Sequence, residues 1–466
     1  MEPQALSRST IAAIATPAGQ GGLAVIRISG PEAFDILSRI WRGKNPHDCA
    51  THTAHLGKLM LEDGSVLDQA VATFFRAPAS FTGEDTVELS VHGSRWIQRE
   101  MMNLLVRNGA SPAGPGEFSQ RAFLNGCMDL VQTEAIADII AAGSRGAHRM
   151  AMQQLSGSFS SRLNQLREKL VNFASLLELE LDFSEEDVTF ADRQELISLA
   201  GETLETVNRL ADSYARGRAL RDGIPVVIAG APNAGKSTLL NRLIDDDKAL
   251  VSDIPGTTRD VIEDCCEIDG TLFRFFDTAG LHDTEDTVEL MGIDRAKQYL
   301  SRAAIILWVC DTSDPAATPQ ADPVAHGVDV SNATNILVLN KIDKASYGRE
   351  QAMTNPVLTA GFDRVVSISA RQGTGIDKLE RILLEISRES YGADTDIIVT
   401  NARHYEALRA GASALTRALD CLRDGLSGDL VAQGMREALH HLGLIVGAVT
   451  TDTLLTSIFS KFCIGK

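Results

Sequence analysis

Cysteine is sparse and unpatterned in this chain: seven occur in 466 residues, at Cys49, Cys127, Cys265, Cys266, Cys310, Cys421 and Cys463. The total is odd and no C-x-x-C pair is present, which argues against a disulfide framework and against a zinc knuckle. Long hydrophobic runs are missing too. No apolar stretch reaches the ~18 residues that a membrane-spanning helix needs, although 44% of residues are hydrophobic, ample for packed cores. The first residues, Met1-Glu-Pro-Gln-Ala-Leu-Ser, lack the charged-then-apolar layout of a secretory signal, so no membrane association and a cytoplasmic location are expected. Positive charge is in deficit: 44 Lys and Arg stand against 62 Asp and Glu, a net charge of −18. A surface coated in basic residues is thereby excluded. Any contact with nucleic acid has to use a local patch of Lys and Arg.

What is there divides by texture. A length prior of about 150 residues per domain gives about three domains. Residues 1–126 mix short β-rich runs, such as Leu23-Ala-Val-Ile-Arg-Ile28 and Thr86-Val-Glu-Leu-Ser-Val91, with turn glycines, and read as an α+β domain. Over 127–222 the pattern is helical: Leu163, Leu166, Leu170, Phe173 and Leu177 recur at the three- and four-residue spacing of one apolar helix face. Residues 223–390 alternate strand and helix patterns. Residues 391–466 are helical again, with Leu408, Leu415, Leu419 and Leu422 on one face. Two helical stretches flanking an α/β segment suggest one helical bundle with the α/β domain inserted in it; two separate helical domains would carry the same pattern.

The chemistry lies in the α/β segment. Gly230-Ala-Pro-Asn-Ala-Gly-Lys-Ser237 has the form G-x-x-x-x-G-K-S and follows the apolar run Ile224-Pro-Val-Val-Ile-Ala229, which reads as a buried parallel strand. This is a phosphate-binding loop: backbone N–H groups converge on phosphate oxygens, Lys236 supplies a charge for the β/γ-phosphates, and Ser237 opens a helix where it can ligate Mg²⁺. Asp277-Thr278-Ala279-Gly280 ends the apolar stretch Leu272-Phe-Arg-Phe-Phe276, putting a carboxylate near the metal and a glycine N–H near the γ-phosphate. Asn340-Lys341-Ile-Asp343 ends Ile336-Leu-Val-Leu339; the Asp343 carboxylate can accept from both N1–H and the exocyclic amine of guanine, a donor pair that adenine lacks. Ser369-Ala370-Arg371 follows Val365-Val-Ser-Ile368 and fits a loop closing over the base. Gly256-Thr257-Thr258 lies between the first two motifs, with Thr258 as a second Mg²⁺ ligand. The ordered set predicts a Ras-like P-loop domain with a mainly parallel sheet that binds and hydrolyses GTP.

In Ras-like enzymes a glutamine follows the D-T-A-G glycine and orients the attacking water, and an arginine often neutralises developing charge. Here Leu281 holds that position, and leucine orients no water. Another polar group and another cation are required. The stretch His282-Asp-Thr-Glu-Asp-Thr-Val-Glu289 offers carboxylates, among which spacing alone does not choose, and a solvated acidic loop has the same appearance.

Across its whole length the chain resembles a known family. Thr16-Pro-Ala-Gly-Gln-Gly-Gly22 leads into Ile26-Arg-Ile-Ser-Gly30; Phe81-Thr-Gly-Glu-Asp85, Val91-His-Gly93, Pro115-Gly-Glu-Phe-Ser119 and Arg121-Ala-Phe-Leu-Asn125 follow, with Phe462-Cys-Ile-Gly-Lys466 at the far end. This combination is similar to the MnmE (TrmE) family of bacterial tRNA-modification GTPases. The resemblance implies a homodimer that joins the flavoprotein MnmG (GidA) in a heterotetramer and adds an aminomethyl-type group to C5 of the tRNA wobble uridine. It implies an N-terminal folate-binding and dimerisation domain holding 5-formyl- or 5,10-methylene-tetrahydrofolate, with Arg27, Glu88 and Lys466 as contacts. A carboxylate suits the pterin amide edge and a cation the glutamate tail. Cys127 stands where the family has a lysine, which removes a charge. From residue types alone, Arg27 and Glu88 also read as an ordinary strand pair.

The same resemblance supplies the missing groups of the GTP site. It implies a bound K⁺ in place of an arginine finger, held by Asn233, Ser252, Ile254 and Thr257, with Glu289 polarising the water. Lys236, Asp277 and Glu289 are then the catalytic set. The implied nucleotide contacts are Asn233, Ala234, Gly235, Lys236, Ser237 and Thr238; Ser252, Asp253, Ile254, Pro255, Gly256, Thr257 and Thr258; Asp277 to Gly280; Asn340, Lys341 and Asp343; and Ser369 to Arg371. His282 stands where an arginine is common. Cys463 reads either as a small buried hydrophobe or, near the folate pocket, as a catalytic thiol. A second class remains open, a regulatory GTPase of ribosome assembly with the same loop motifs; folate binding by residues 1–126 separates the two.

Overall fold

The computed structural model describes residues 9–182, 193–244, 263–277, 297–314, 330–344, 359, 361–391, 398–426, 428–460 and 462–465. By contacts the chain forms two compact units. The first comprises Met1–Ala137, Gln154–Phe190 and Ala432–Lys466, the second Asp138–Gln153 and Ala191–Val431. The helical stretches are thus shared between both units.

In the first unit, alternating apolar residues build a seven-stranded sheet. Its strands are β1 (Ile11–Ile14), β2 (Leu23–Ser29), β3 (Trp41–Arg42), β4 (Thr53–Met60), β5 (Val66–Phe75), β6 (Thr86–His92) and β7 (Ser111–Pro112), in the spatial order β3-β4-β5-β6-β2-β1-β7. All pairs are antiparallel except β1 with β7. Ile26 and Ile28 on β2, Val87 and Leu89 on β6 and Phe74 on β5 are buried in one core with Ile36 and Leu37 of α1 (Ala33–Ile40) and Met101 and Leu104 of α2 (Arg95–Arg107). Strand period two then sends the intervening residues to the opposite face. Arg27 and Glu88 are among them, and the β2–β6 register sets them directly across from one another.

Helices α3 (Glu117–Leu124), α4 (Leu130–Ala141), α5 (Arg145–Leu155) and α6 (Ser158–Asp182) follow. On α6, Leu163, Leu166, Leu170 and Phe173 are buried along the expected stripe; the side chain of Leu177 lies outside the described residues. The helix Asp452–Phe459 returns to this unit and packs Leu455, Ile458 and Phe459 against Leu130.

The second unit is built on a six-stranded sheet. Its strands are β8 (Ile224–Gly230), β9 (Glu263–Ile268), β10 (Thr271–Asp277), β11 (Ile305–Asp311), β12 (Thr334–Asn340) and β13 (Arg364–Ser367), ordered β13-β12-β11-β8-β10-β9. Only β9 with β10 is antiparallel. Both faces are covered, which is why these strands read as nearly unbroken apolar runs. Val226, Ile228, Phe273 and Leu307 are buried with α9 (Lys236–Leu243) and α10 (Ile376–Tyr391) on one side, while Val227, Ala229, Ile306 and Trp308 are buried on the other with Leu300.

The helices of the two flanks meet inside this unit. α7 (Arg193–Asp212) and α8 (Tyr214–Asp222) precede the sheet, and α11 (Ala402–Arg423) follows it. Tyr214 stacks on Tyr405 with centroids 4.6 Å apart, and Ser213 Oγ accepts a bond from Val399 N at 3.0 Å. The stripe Leu408, Leu415, Leu419 and Leu422 is buried. The α/β segment of this unit thus lies between helices that pair with one another, while the remaining helices of both flanks belong to the first unit.

The first unit's core makes a direct prediction. Phe74 is fully buried and lies 5.9 Å from Phe34, centroid to centroid. Phe74→Ala is expected to cost about 3–5 kcal/mol, seen in urea unfolding as an earlier transition of that unit, while the second unit keeps its nucleotide affinity. A shift equivalent to less than about 1 kcal/mol would contradict this packing.

Candidate functional site

In the second unit the carboxyl ends of β8, β10, β11 and β12 share one edge, and β8 sits where the strand order changes direction. In open parallel sheets that crevice is where ligands bind. Gly230 ends β8 and Gly235 caps α9, both with positive φ (143° and 96°). A Cβ on Gly235 would run into the Asn340 side chain, so only glycine fits there. Between them Asn233 also adopts positive φ, 63°, at an exposed point of the loop. Lys236 is buried at 5% exposure, with its ammonium donating to the carbonyls of Gly230 and Ala231, both at 2.9 Å. Ala234 is buried, whereas Ser237 and Thr238 are exposed at the start of α9.

Asn340 braces this loop with both ends of its amide. Nδ2 donates to Ala234 O at 2.8 Å and Oδ1 accepts from Ala370 N at 3.0 Å. The next residue, Lys341, has φ 64° and donates from Nζ to Asn233 O at 2.8 Å and to Asp311 Oδ2 at 2.6 Å. Asp343 is exposed, and its Oδ1 accepts from Ser369 Oγ at 2.6 Å. Ser369 and Ala370 are buried and Arg371 is exposed. The first, third and fourth sequence motifs are therefore brought together. Asp277 ends β10 opposite Ile228 of β8, which puts its backbone at the same edge; its side chain lies outside the described residues. So do Ser252, Asp253, Ile254, Pro255, Gly256, Thr257, Thr258, Thr278, Ala279, Gly280, Leu281, His282 and Glu289.

Asp311 was not singled out from the sequence. Burial raises its pKa, but hydrogen bonds from Lys341 and Ser313, together with the charge of Lys341, outweigh burial and hold the carboxyl below the usual carboxylate range. The available signal was a carboxylate ending a buried strand, Ile305-Ile-Leu-Trp-Val-Cys-Asp311, at the edge where the other motifs end.

The first unit holds a second cluster. Arg27 Nε donates to Glu88 Oε1 at 2.9 Å, and a second guanidinium nitrogen lies 2.7 Å from the same oxygen. The guanidinium carbon sits 5.2 Å from the Phe81 ring centroid and 5.5 Å from that of Phe118. The pair is half-buried; Phe118 is fully buried in the core beside it, while Phe81 is partly exposed and can face a flat heterocycle. Cys127 is exposed next to Gly83, where an added Cβ would lie 2.7 Å from Sγ. Cys463 is exposed rather than buried, which removes the reading of it as a small core hydrophobe. Its carbonyl accepts from Gly116 N at 3.4 Å, and Ile464 pairs with Pro115. Lys466 lies outside the described residues.

Beside this cluster is a network that sequence reading missed. Arg121, 4% exposed, bridges Glu84 at 3.1 Å and Glu117 at 2.9 Å and donates to Ser9 O. Glu117 also accepts from Gly114 N at 2.8 Å, and Glu84 from Ser29 Oγ at 2.8 Å. These contacts fix the loop before α3 and the segment after Phe81. Ser29, Glu84, Glu117 and Arg121 lie in quoted motifs, but the bonds from Arg121 to Glu84 and Ser9 and from Ser29 to Glu84 join residues far apart in the chain.

Among the described residues, no helix is long and apolar enough to cross a membrane. Comparison with known proteins places two family models on the chain: "GTP-binding protein TrmE N-terminus" over residues 10–127 and "MnmE helical domain" over residues 130–463. The tRNA modification GTPase MnmE of Cytophaga hutchinsonii is 46% identical over 459 residues, covering 98% of this chain and 98% of its own length. Its namesake in Parabacteroides distasonis is 46% identical over 463 residues, 98% of this chain and all of the relative. A solved Era structure from Aquifex aeolicus, bound to GDP.AlF4-, matches 41% of this chain and 65% of its own, with 26% identity and a TM-score of 0.29. With both family models covering nearly its whole length and relatives this similar end to end, the chain belongs to the MnmE (TrmE) family.

Proposed function

We propose that this chain is a GTP hydrolase that serves the modification of tRNA at the wobble uridine. The observation that carries the reading is the convergence of the phosphate loop, Asn340 with its two-sided brace, and Asp343 with Ser369 at one edge of a parallel sheet. Backbone N–H groups at the start of α9 and the Lys236 ammonium hold phosphates. Asp343 accepts from the two guanine donors and so selects GTP over ATP.

The reading includes two cations. Ser237, with Thr258 and Asp277, would hold Mg²⁺, which neutralises charge on the β- and γ-phosphates. Asn233, exposed in a left-handed conformation at the loop's tip, suits a ligand that presents its side chain outward. With Ser252, Ile254 and Thr257 it would hold K⁺, which supplies the positive charge an arginine provides elsewhere. Glu289 polarises the attacking water in place of the residue that Leu281 cannot supply.

In the first unit the half-buried Arg27–Glu88 pair between Phe81 and Phe118 fits a tetrahydrofolate, a one-carbon donor when bound. The partly exposed Phe81 ring offers it stacking surface, Arg27 and Lys466 offer charge for its glutamate tail, and Glu88 accepts from the pterin edge. Cys127 contributes no charge at the third position. The working complex pairs two copies of this chain with the flavoprotein MnmG, takes tRNA as substrate, and operates in the cytoplasm to add an aminomethyl-type group at uridine C5.

Three outcomes are expected. In cells lacking this protein, mass spectrometry of tRNA nucleosides should show loss of wobble C5-aminomethyl uridines, restored by wild type but not by Asp277→Ala; unchanged nucleosides with immature ribosomal subunits would transfer the protein to ribosome assembly. Asp343→Asn should lower the kcat/KM for GTP at least ~100-fold while XTP, whose C2 carbonyl accepts from the new amide, becomes the better substrate. Arg27→Ala should weaken calorimetric binding of 5-formyl-tetrahydrofolate about tenfold or more with GTP hydrolysis unchanged, the loss expected of a charge-assisted contact.

A further inference from the structure

The end of β11 is tied to the phosphate loop by a chain of short polar contacts that the nucleotide reading does not require. Asp311 is held at Oδ1 by Ser313 N at 2.9 Å and Ser313 Oγ at 2.7 Å, which fixes the carboxylate's orientation. Its other oxygen receives the Lys341 ammonium at 2.6 Å. That ammonium reaches Asn233 O at 2.8 Å. The adjacent Thr312 adds two bonds to the Asn340 carbonyl, from N at 2.9 Å and Oγ1 at 2.7 Å. Consecutive residues of β12's end, Asn340 and Lys341, thus grip consecutive carbonyls of the phosphate loop, Ala234 and Asn233. Both Lys341 and Asn233 are held in left-handed backbone conformations, φ 64° and 63°, which non-glycine residues adopt only where the surroundings compensate.

We propose that Asp311 is a positioning residue of the GTP site. It clamps the Lys341 ammonium against the Asn233 carbonyl and so holds Asn233 in the conformation that presents its side chain to the bound cation. Lysine is a flexible point charge with three donors, and its direction is set by where acceptors stand. With Asp311 and Asn233 on two of its donors, the ammonium has one place to be. Without the carboxylate, Lys341 regains rotamer freedom and Asn233 loses the tie that offsets its strained backbone. The consequence falls on the phosphate side of the site, although Asp311 is part of neither the phosphate loop nor the guanine motif. This deepens the reading of Asn233 as a K⁺ ligand and, in its cation arm, rests on it.

The test uses the full chain, titrated with mant-GDP in NaCl. Asp311→Asn keeps the side chain's shape and removes its charge, and is expected to weaken mant-GDP binding about tenfold, the loss of one charge-assisted bond. Lys341→Ala should weaken binding at least as much, and the double variant should bind like Lys341→Ala alone, because Asp311 acts only through the lysine. Unchanged affinity in Asp311→Asn, or losses that add in the double variant, would overturn the clamp. In a second arm, the KCl concentration for half-maximal GTP hydrolysis should rise several-fold in Asp311→Asn. An unchanged half-activation in a protein that K⁺ does stimulate would overturn the link to Asn233. If wild type hydrolyses GTP equally in KCl and NaCl, the K⁺ reading of Asn233 fails, and the mant-GDP cycle still decides the clamp.

Discussion

The Asn340 amide is the constraint on which the nucleotide edge depends. Four strands deliver their loops to one line of the sheet, and every such loop carries backbone groups that the sheet no longer pairs. A side-chain amide has one donor end and one acceptor end, so a single buried residue can satisfy a carbonyl on one side and an N–H on the other. Asn340 does this between Ala234 and Ala370, and Thr312 saturates its own carbonyl. Aspartate would lose the donor and leave Ala234 O unmet, while leucine of similar size would strand both partners in a buried site, where each unpaired group costs about 1–3 kcal/mol. The loop is therefore rigid before any phosphate arrives, and binding need not order it.

The first unit solves a different problem with strand alternation. Its sheet must bury one face under α1 and α2 and still offer polar groups on the other. Period two along β2 and β6 achieves both, because burying Ile26, Ile28, Val87 and Leu89 forces Arg27 and Glu88 outward together. A one-residue slip of register would turn the pair into the core. The apolar stripe thereby positions the charged pair, and the buried Arg121 bridge between Glu84 and Glu117 ties the loop after Phe81 to α3, which carries Phe118, beside it.

Features written in short contiguous segments were legible in the sequence. The β8 strand, its glycine loop and the helix after it follow from local patterning, and the buried stripes on α6 and α11 follow from helical periodicity. Asn340 and Ser369 were legible as motif members, but not their joint hold on one loop, since that contact depends on which strands become neighbours. Asp311 escaped because one carboxylate at a strand end carries no motif; its role exists only once Lys341 and Asn233 are beside it. Arg121 escaped for a related reason: one acidic partner, Glu117, is a turn away on α3, but the other, Glu84, lies on a loop 37 residues earlier. For Cys463 the sequence left a core hydrophobe and a catalytic thiol equally open; the bridge between Ile464 and Pro115 runs along the surface and leaves the thiol outside.

That bridge has a consequence for how the protein is made. Pro115 and Gly116 leave the ribosome early, whereas Cys463 and Ile464 follow only after every strand of the α/β insert has been synthesised. Domains generally fold as units in the order they emerge, so the sheet of the first unit stands complete for most of translation with the strip beside Gly116 still bare. A chain broken anywhere in the insert would lack Ala432–Lys466, and with it both the helix that packs on Leu130 and the strip beside Gly116. The edge beside Gly116 is thus closed across nearly 350 residues of intervening chain, only once Cys463 and Ile464 have been made.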